Sequence, residues 1–181
     1  MLINDICKNS NHLSEFLTYR DRLKDKISNI TNLDGINSDL LEMLLVANDM
    51  YDEISSMNLP KYVLHNDLQH KNILKDENGW KMIDPHGVVG EKVFDTCQFI
   101  KAELPSNSIE DIKFISKKVA DSTGEDLDLI YKALYIENTT KILFYLKSKE
   151  DEEIISYNIS LCKNLIKYLN SLNRLLAKLS I

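Results

Sequence analysis

His65, Asp67, Asn72 and Asp84 are the side chains through which this chain could do chemistry. The first three lie in Leu64-His65-Asn66-Asp67-Leu68-Gln69-His70-Lys71-Asn72-Ile73-Leu74, a string of the form H-x-D-x-x-x-x-N. Asp84 follows in Met82-Ile83-Asp84-Pro85-His86-Gly87. A carboxylate at Asp67 can accept the proton of a hydroxyl, or orient that hydroxyl for in-line attack on a phosphoryl group. The amide oxygen of Asn72 and the carboxylate of Asp84 are hard oxygen ligands of the kind Mg²⁺ takes on nucleotide phosphates. Together they form the set needed to move a phosphoryl group from ATP to a hydroxyl. Taken singly, Asp and Asn are ordinary turn and cap residues, and H-x-D alone is a weak signal. Specificity comes from the elements around them.

Those elements are a short strand and a hairpin. Tyr62-Val63-Leu64 reads as a strand entering the motif, and residues 72–75 and 80–83 read as strands joined by the turn Asp76-Glu77-Asn78-Gly79. Asn72 then begins the hairpin and faces Asp84 across its top. Trp80 is expected to pack its ring beneath the hairpin, stacking on a substrate being the alternative. Everything else reads as helix. Leu13, Phe16, Leu17, Leu23 and Ile27 mark one or two amphipathic helices before residue 30, and residues 32–37 are turn-rich. Ser38 is a candidate N-cap for a helix to about residue 57, with Leu40, Leu41, Leu44, Leu45, Ala47 and Ile54 toward the core. Further helices are expected over 94–103, from Ser108 with Asp111 as a capping box, over 127–147 and over 152–179. The apolar repeat Ile155, Ile159, Cys162, Leu165, Ile166, Leu169, Leu172, Leu176 and Leu179 suits a helix lying along a bundle better than a coiled coil.

Composition agrees. The 181 residues suit one domain, divided into helical residues 1–60, a catalytic loop and hairpin over 61–92, and helical residues 93–181. Only 5 glycines and 3 prolines interrupt a chain that is 44% hydrophobic and 28% charged, which favours a mainly α fold. A net charge of -6 argues against a nucleic-acid partner. No apolar run reaches the roughly 18 residues that span a bilayer, and the N-terminus lacks signal-peptide character, so no membrane role and a cytoplasmic location are expected. Cys7, Cys97 and Cys162 form no C-x-x-C pair, and the latter two sit among apolar helical neighbours as small buried hydrophobes. His12 is expected on the surface.

The strings Leu-His-x-Asp-Leu-x-His-x-Asn-Ile-Leu and Gly-Trp-x-x-Ile-Asp-Pro-x-Gly-Val-Val-Gly-Glu resemble the catalytic segments of the aminoglycoside phosphotransferase family, a branch of the kinase-like fold. They are most similar to its streptomycin 6-kinase and hydroxyurea phosphotransferase subgroup. The resemblance implies the helical C-terminal lobe of a protein-kinase-like fold, with a small β-hairpin carrying the catalytic loop. It implies Asp67 as catalytic base, Asn72 and Asp84 as ligands of Mg²⁺ on ATP, and His65 bracing the loop. Asp95 would support that loop from the following helix, its alternative being a helix-start cap. His70 would line the substrate side of the loop or bond a backbone carbonyl. The implied acceptor is a small-molecule hydroxyl, such as that of an aminoglycoside. Glu137, Asp151 and Glu152 are candidates to hold a cationic sugar, or are solvated helix faces.

The chain departs from the family pattern twice. Asn66 stands where glycine is usual, and asparagine tolerates the left-handed backbone such a loop requires. His86 stands where the subgroup has lysine after Ile-Asp-Pro, replacing a fixed charge by one that titrates near neutrality. No glycine falls in a G-x-G-x-x-G loop, and residues before 60 contain no β-rich segment. The expectation is that the ATP-binding N-terminal lobe is absent, the chain being a fragment of a full kinase, a partner of a separately encoded lobe, or a stand-alone remnant, with an exposed lobe interface that invites self-association. The rival expectation is a non-catalytic, pseudokinase-like binding protein.

Overall fold

The computed structural model describes residues 13–28 and 36–179, with residue 15 and residues 172–179 described by backbone alone. Cys7, His12, the helical reading before residue 13, turn residues 32–35 and the side chains of Leu172, Leu176 and Leu179 lie outside that description. The described elements are α1 (Tyr19–Ser28), α2 (Ser38–Ser56), β1 (Lys61–Leu64), β2 (Ile73–Asp76), β3 (Gly79–Met82), β4 (Val88–Glu91), α3 (Val93–Glu103), α4 (Ile109–Thr123), α5 (Leu127–Ser148) and α6 (Glu152–Leu179). Single 3₁₀ turns cover Leu13–Glu15 and His70–Asn72. The architecture is the expected helical lobe with a small β insert.

Helix α5 explains the packing. Its sequence has no polar face: Ile130, Ala133, Leu134, Ile136, Asn138, Thr139, Thr140 and Ile142 are all buried. A helix of that kind must be surrounded. Helices α2, α3 and α6 pack against it, with α1 and α4 adding smaller contacts. From α6 come Leu161, Cys162, Leu165 and Leu169, each burying surface on the order of 1.5–3 kcal/mol in transfer free energy for a leucine-sized group. Thus α6 lies along a bundle. Burial pushes the thiol of Cys162 up to about 12 and that of Cys97 well above its usual range, so both are inert hydrophobes.

Several ends follow their cap chemistry. Ser108 Oγ accepts the Asp111 N–H at 3.1 Å, and Gly124 closes α4 at φ 73° with its N–H on Ala120 O. The Asp111 carboxylate turns to Ser106 Oγ instead of closing a full capping box. Asn37, not Ser38, caps α2, its Oδ1 accepting the Leu40 N–H at 2.9 Å; Ser38 is the first helical residue. The buried stripe of α2 is Leu40, Leu44, Ala47, Tyr51 and Ile54. Leu41 and Leu45, expected in the core, are 47% and 59% exposed because they lie one residue along from that stripe, about 100° around the helix.

The β part also differs from expectation. Strands β2 and β3 pair from Ile73↔Met82 to Asp76↔Gly79, so the turn is the two residues Glu77-Asn78. Asn72 belongs to the 3₁₀ turn before the hairpin, although Ile83 N still donates to Asn72 O at 3.0 Å and extends the ladder by one rung. Trp80 is 58% exposed on the hairpin rather than packed beneath it, with Lys75 Nζ 5.6 Å from its ring centroid. A fourth strand, β4, was not expected. It pairs antiparallel with β1, and Val89 N donates to Leu17 O at 2.9 Å beside a parallel bridge from Thr18. Residues 17 and 18 therefore lend backbone to β4, and Phe16 and Leu17 stay exposed ahead of α1. Gly90 is required here: a Cβ would meet Leu64 Cδ1 and Tyr19 Cβ at 3.0 Å.

Candidate active site

The loop from His65 to Asn72 is held from two directions. Asp95, in the first turn of α3, accepts the backbone N–H groups of His65 and Asn66, each at 2.7 Å. Its carboxylate serves the loop rather than its own helix. Burial pushes the Asp95 carboxyl above its usual range, while those two hydrogen bonds pull the other way. On the opposite side, His65 Nε2 lies 2.8 Å from Ile83 O and its Nδ1 lies 3.3 Å from Asp67 N. The tautomer with its proton on Nε2 satisfies both, donating to Ile83 and accepting from Asp67. His86 N donates in return to His65 O at 2.8 Å. Loop and hairpin exit are thereby stitched together through one histidine.

Two non-glycine residues of the site adopt left-handed backbone. Asn66 has φ 62°, the conformation its glycine-like position requires. Asp84 has φ 59° immediately before Pro85. Such a backbone costs on the order of 1 kcal/mol or more and persists where surroundings enforce it, a pattern common at functional sites.

Asp67 is half-buried at the loop's centre. Gln69 Nε2 donates to both of its carboxylate oxygens, at 2.9 and 3.0 Å, and Asn72 Nδ2 donates to Oδ2 at 3.1 Å and to the Asp67 carbonyl at 2.9 Å. Asn72 is buried, and with Nδ2 committed to Asp67 its Oδ1 accepts no hydrogen bond among the described residues. Asp84 is exposed one residue past the rung that joins Ile83 to Asn72. No cluster of three or more His, Cys, Asp or Glu side chains capable of holding a metal occurs among the described residues. One amide oxygen and one carboxylate nevertheless fit Mg²⁺, which is commonly held by one or two protein oxygens together with substrate phosphates.

Asp67 also forms part of the wall of a cavity of about 670 Å³. Leu68 and Gln69 of the loop, Gln98, Lys101 and Ala102 of α3, Asn138, Lys141 and Tyr145 of α5, and residues at the start of α6 complete it. The volume suits a drug-sized molecule. Asp151 lines this cavity, whereas Glu152 does not and its neighbour Glu153 does. Glu137 is not the solvated helix face that its sequence setting suggested. It is 5% exposed, takes a hydrogen bond from Tyr19 Oη, and takes another from Gln98 Nε2 at 2.6 Å, so both carboxylate oxygens are engaged. His70 turns outward to Glu103 Oε1 at 3.0 Å, and the His86 side chain is exposed. Gln69, Gln98, Lys101 and Asn138 were not singled out in the sequence. The proximity of Gln69 to Asp67 offered one signal, but the others meet the cavity only through helix packing.

The comparisons agree with this architecture. The model of the aminoglycoside/hydroxyurea antibiotic resistance kinase family matches residues 16–134. A streptomycin 3''-kinase from Klebsiella pneumoniae is 54% identical over 33 residues, 18% of this chain and 12% of that protein. LicA in complex with AMP superposes with a TM-score of 0.65 at 14% identity, over 93% of this chain and 59% of LicA. Choline kinase LicA from Streptococcus pneumoniae gives 0.60 at 13% identity, over 93% and 61%. The chain thus spans about three-fifths of those kinase-like structures, which share its fold. With the family match covering the loop from His65 to Asn72, the hairpin and helices on either side, the chain belongs to the aminoglycoside/hydroxyurea antibiotic resistance kinase family.

Proposed function

We propose that this chain is the acceptor-binding and metal-holding half of a Mg²⁺- and ATP-dependent small-molecule kinase. The observation that carries this reading is the Asp67 carboxylate, fixed by three hydrogen bonds yet forming part of a cavity wall. Asp67 accepts the proton of the acceptor hydroxyl as its oxygen bonds to the γ-phosphorus of ATP and the bond from that phosphorus to the leaving ADP breaks, and the amide donors of Gln69 and Asn72 keep the carboxylate aimed. Asn72 Oδ1 and Asp84 supply metal ligands, and Asp95 and His65 hold the loop that presents them. When bound, Mg²⁺ neutralises charge on the transferring phosphoryl group. Leu74 and Ile83 fall on the hairpin face that carries Asn72 and are 49% and 42% exposed, offering an apolar surface to a nucleoside base.

The acceptor is a hydroxyl of a small molecule of the aminoglycoside type, streptomycin being the natural first probe given the relative from Klebsiella pneumoniae. Asp151 and Glu153 would meet its cationic groups. A separately encoded lobe, further residues or a second copy would cover the nucleotide, and ATP places the reaction in the cytoplasm. The test is calorimetric titration of this chain with Mg²⁺-ATP, wild type against Asp84→Ala. Loss of Mg²⁺-dependent binding in the variant is expected. Binding indifferent to Asp84 would remove the metal assignment and favour the second reading, a non-catalytic binding lobe. That reading draws on Gln69, whose amide already donates to both Asp67 oxygens within the loop.

A further inference from the structure

The floor and the rim of the cavity beside Asp67 differ in character. Asp151 and Glu153 are exposed and form the rim at the start of α6. Deeper, Lys101 of α3 contributes a side chain whose Nζ is buried and has no hydrogen-bond partner among the described residues. Asn138 of α5 is fully buried; its Nδ2 donates to Leu134 O at 2.7 Å, and its Oδ1 is likewise buried and unpartnered. Glu137, an acidic neighbour of Lys101, has both oxygens committed to Tyr19 and Gln98. A buried ammonium and a buried amide carbonyl without partners each carry a free-energy penalty on the order of 1–3 kcal/mol or more. Both residues line the same cavity, so a molecule bound there relieves both penalties once the two side chains turn to meet it.

The chemistry of the pair restricts what fits. An ammonium requires an acceptor and an amide oxygen requires a donor. A hydroxyl, or a carboxamide or urea group, offers both without charge. A cationic group does not, because it would face Lys101, with Lys141 also on the wall. We propose that Lys101 and Asn138 form an inner polar subsite that takes an uncharged hydroxyl- or carbonyl-bearing end of the acceptor, while its cationic groups stay outward at Asp151 and Glu153. This rests on the reading of the cavity as the acceptor site. It makes Lys101 and Asn138 specificity-determining residues that set which end of the molecule enters. Burial and Lys141 together hold the Lys101 amine down at about 8, against the opposing pull of Glu137, Cys97 and Cys162, so the donor is charged over most of the neutral range.

Streptomycin and hydroxyurea serve as probes, titrated separately into the full chain. Lys101→Met keeps the length of the stem and removes the donor. It should weaken both probes by about tenfold or more, with an unfolding temperature equal to or above that of the wild type because an unpartnered ammonium has been removed. Asp151→Asn with Glu153→Gln should weaken streptomycin and leave uncharged hydroxyurea unchanged. Wild-type affinity should also fall between about pH 7 and 9, and that dependence should vanish in Lys101→Met. If wild type binds and Lys101→Met binds equally well or streptomycin more tightly, the subsite is overturned while the acceptor cavity stands. If wild type binds neither probe, the acceptor cavity and the subsite fall together.

Discussion

The geometry of the loop depends on a carboxylate that sits outside it. Asp95 is the buried acceptor for two backbone N–H groups, and neither His65 nor Asn66 has another backbone partner for them. Removing both acceptors in Asp95→Ala leaves two buried donors, expected to cost about 2–5 kcal/mol. For a chain of this size that lowers the unfolding midpoint by roughly 10 °C in a calorimetric scan, and Asp95→Asn, which keeps one acceptor oxygen, should lose less. The pH dependence has a definite sign. Because burial raises the Asp95 carboxyl, the folded chain binds that proton more tightly than the unfolded chain. Its contribution to stability therefore declines as pH climbs from the ordinary carboxylate range through the raised value, and Asp95→Asn flattens that slope. At this scale the sequence was informative about backbone: Asn66 in a glycine-like position pointed to the left-handed φ of 62°. It was silent about Asp84, because a residue before proline is ordinarily extended and only the closure between Ile83, Asn72 and His65 holds it otherwise.

Among the elements, β4 carries an untested constraint. Tyr19, Leu64 and Gly90 meet where α1, β1 and β4 cross, and a methyl group at Gly90 would force Leu64 or Tyr19 to give by a few tenths of an ångström. Gly90→Ala should destabilise the chain by about 1–3 kcal/mol through overpacking, read as a lower denaturant midpoint with an unchanged m-value. A neutral result would mean that α1 is not seated on β4. This strand was hard to read in the sequence because Val88-Val89-Gly90-Glu91 is short and carries a glycine, which argues against a strand interior. Its partner β1 and the β2–β3 hairpin were legible, since alternation and the turn residues from Asp76 to Gly79 are local signals. The helices were legible for the same reason, from caps such as Ser108 and from periodicity. What periodicity could not disclose was rank. α5 reads as one helix among several, and only its absence of a polar face marks it as the central one. The exposure of Trp80 escaped for a related reason: a two-stranded ribbon has little beneath it in which to bury a ring.

At the scale of the molecule, the described residues share one core. The apolar cluster runs without a break from Tyr19 and Leu23 through Leu44, Phe94, Ile112 and Leu134 to Leu169. Heating should therefore give a single cooperative transition, coincident in far- and near-ultraviolet circular dichroism. Two separated transitions would show residues 61–92 to be an independent unit. Among the described residues no helix is long and apolar enough to cross a membrane. The same rigidity has a consequence for how such a protein can diverge. Asp95, Gln98 and Ala102 fall at positions i, i+3 and i+7 of α3, one face of one helix, with Lys101 beside them. The anchor of the loop and the lining of the cavity are thus spaced by helical pitch, not by a connecting segment of variable length. Under the proposed function, exchange at positions 101 and 102 would refit the cavity to a different acceptor while position 95 keeps the loop in register, whereas position 98 is tied to the buried Glu137.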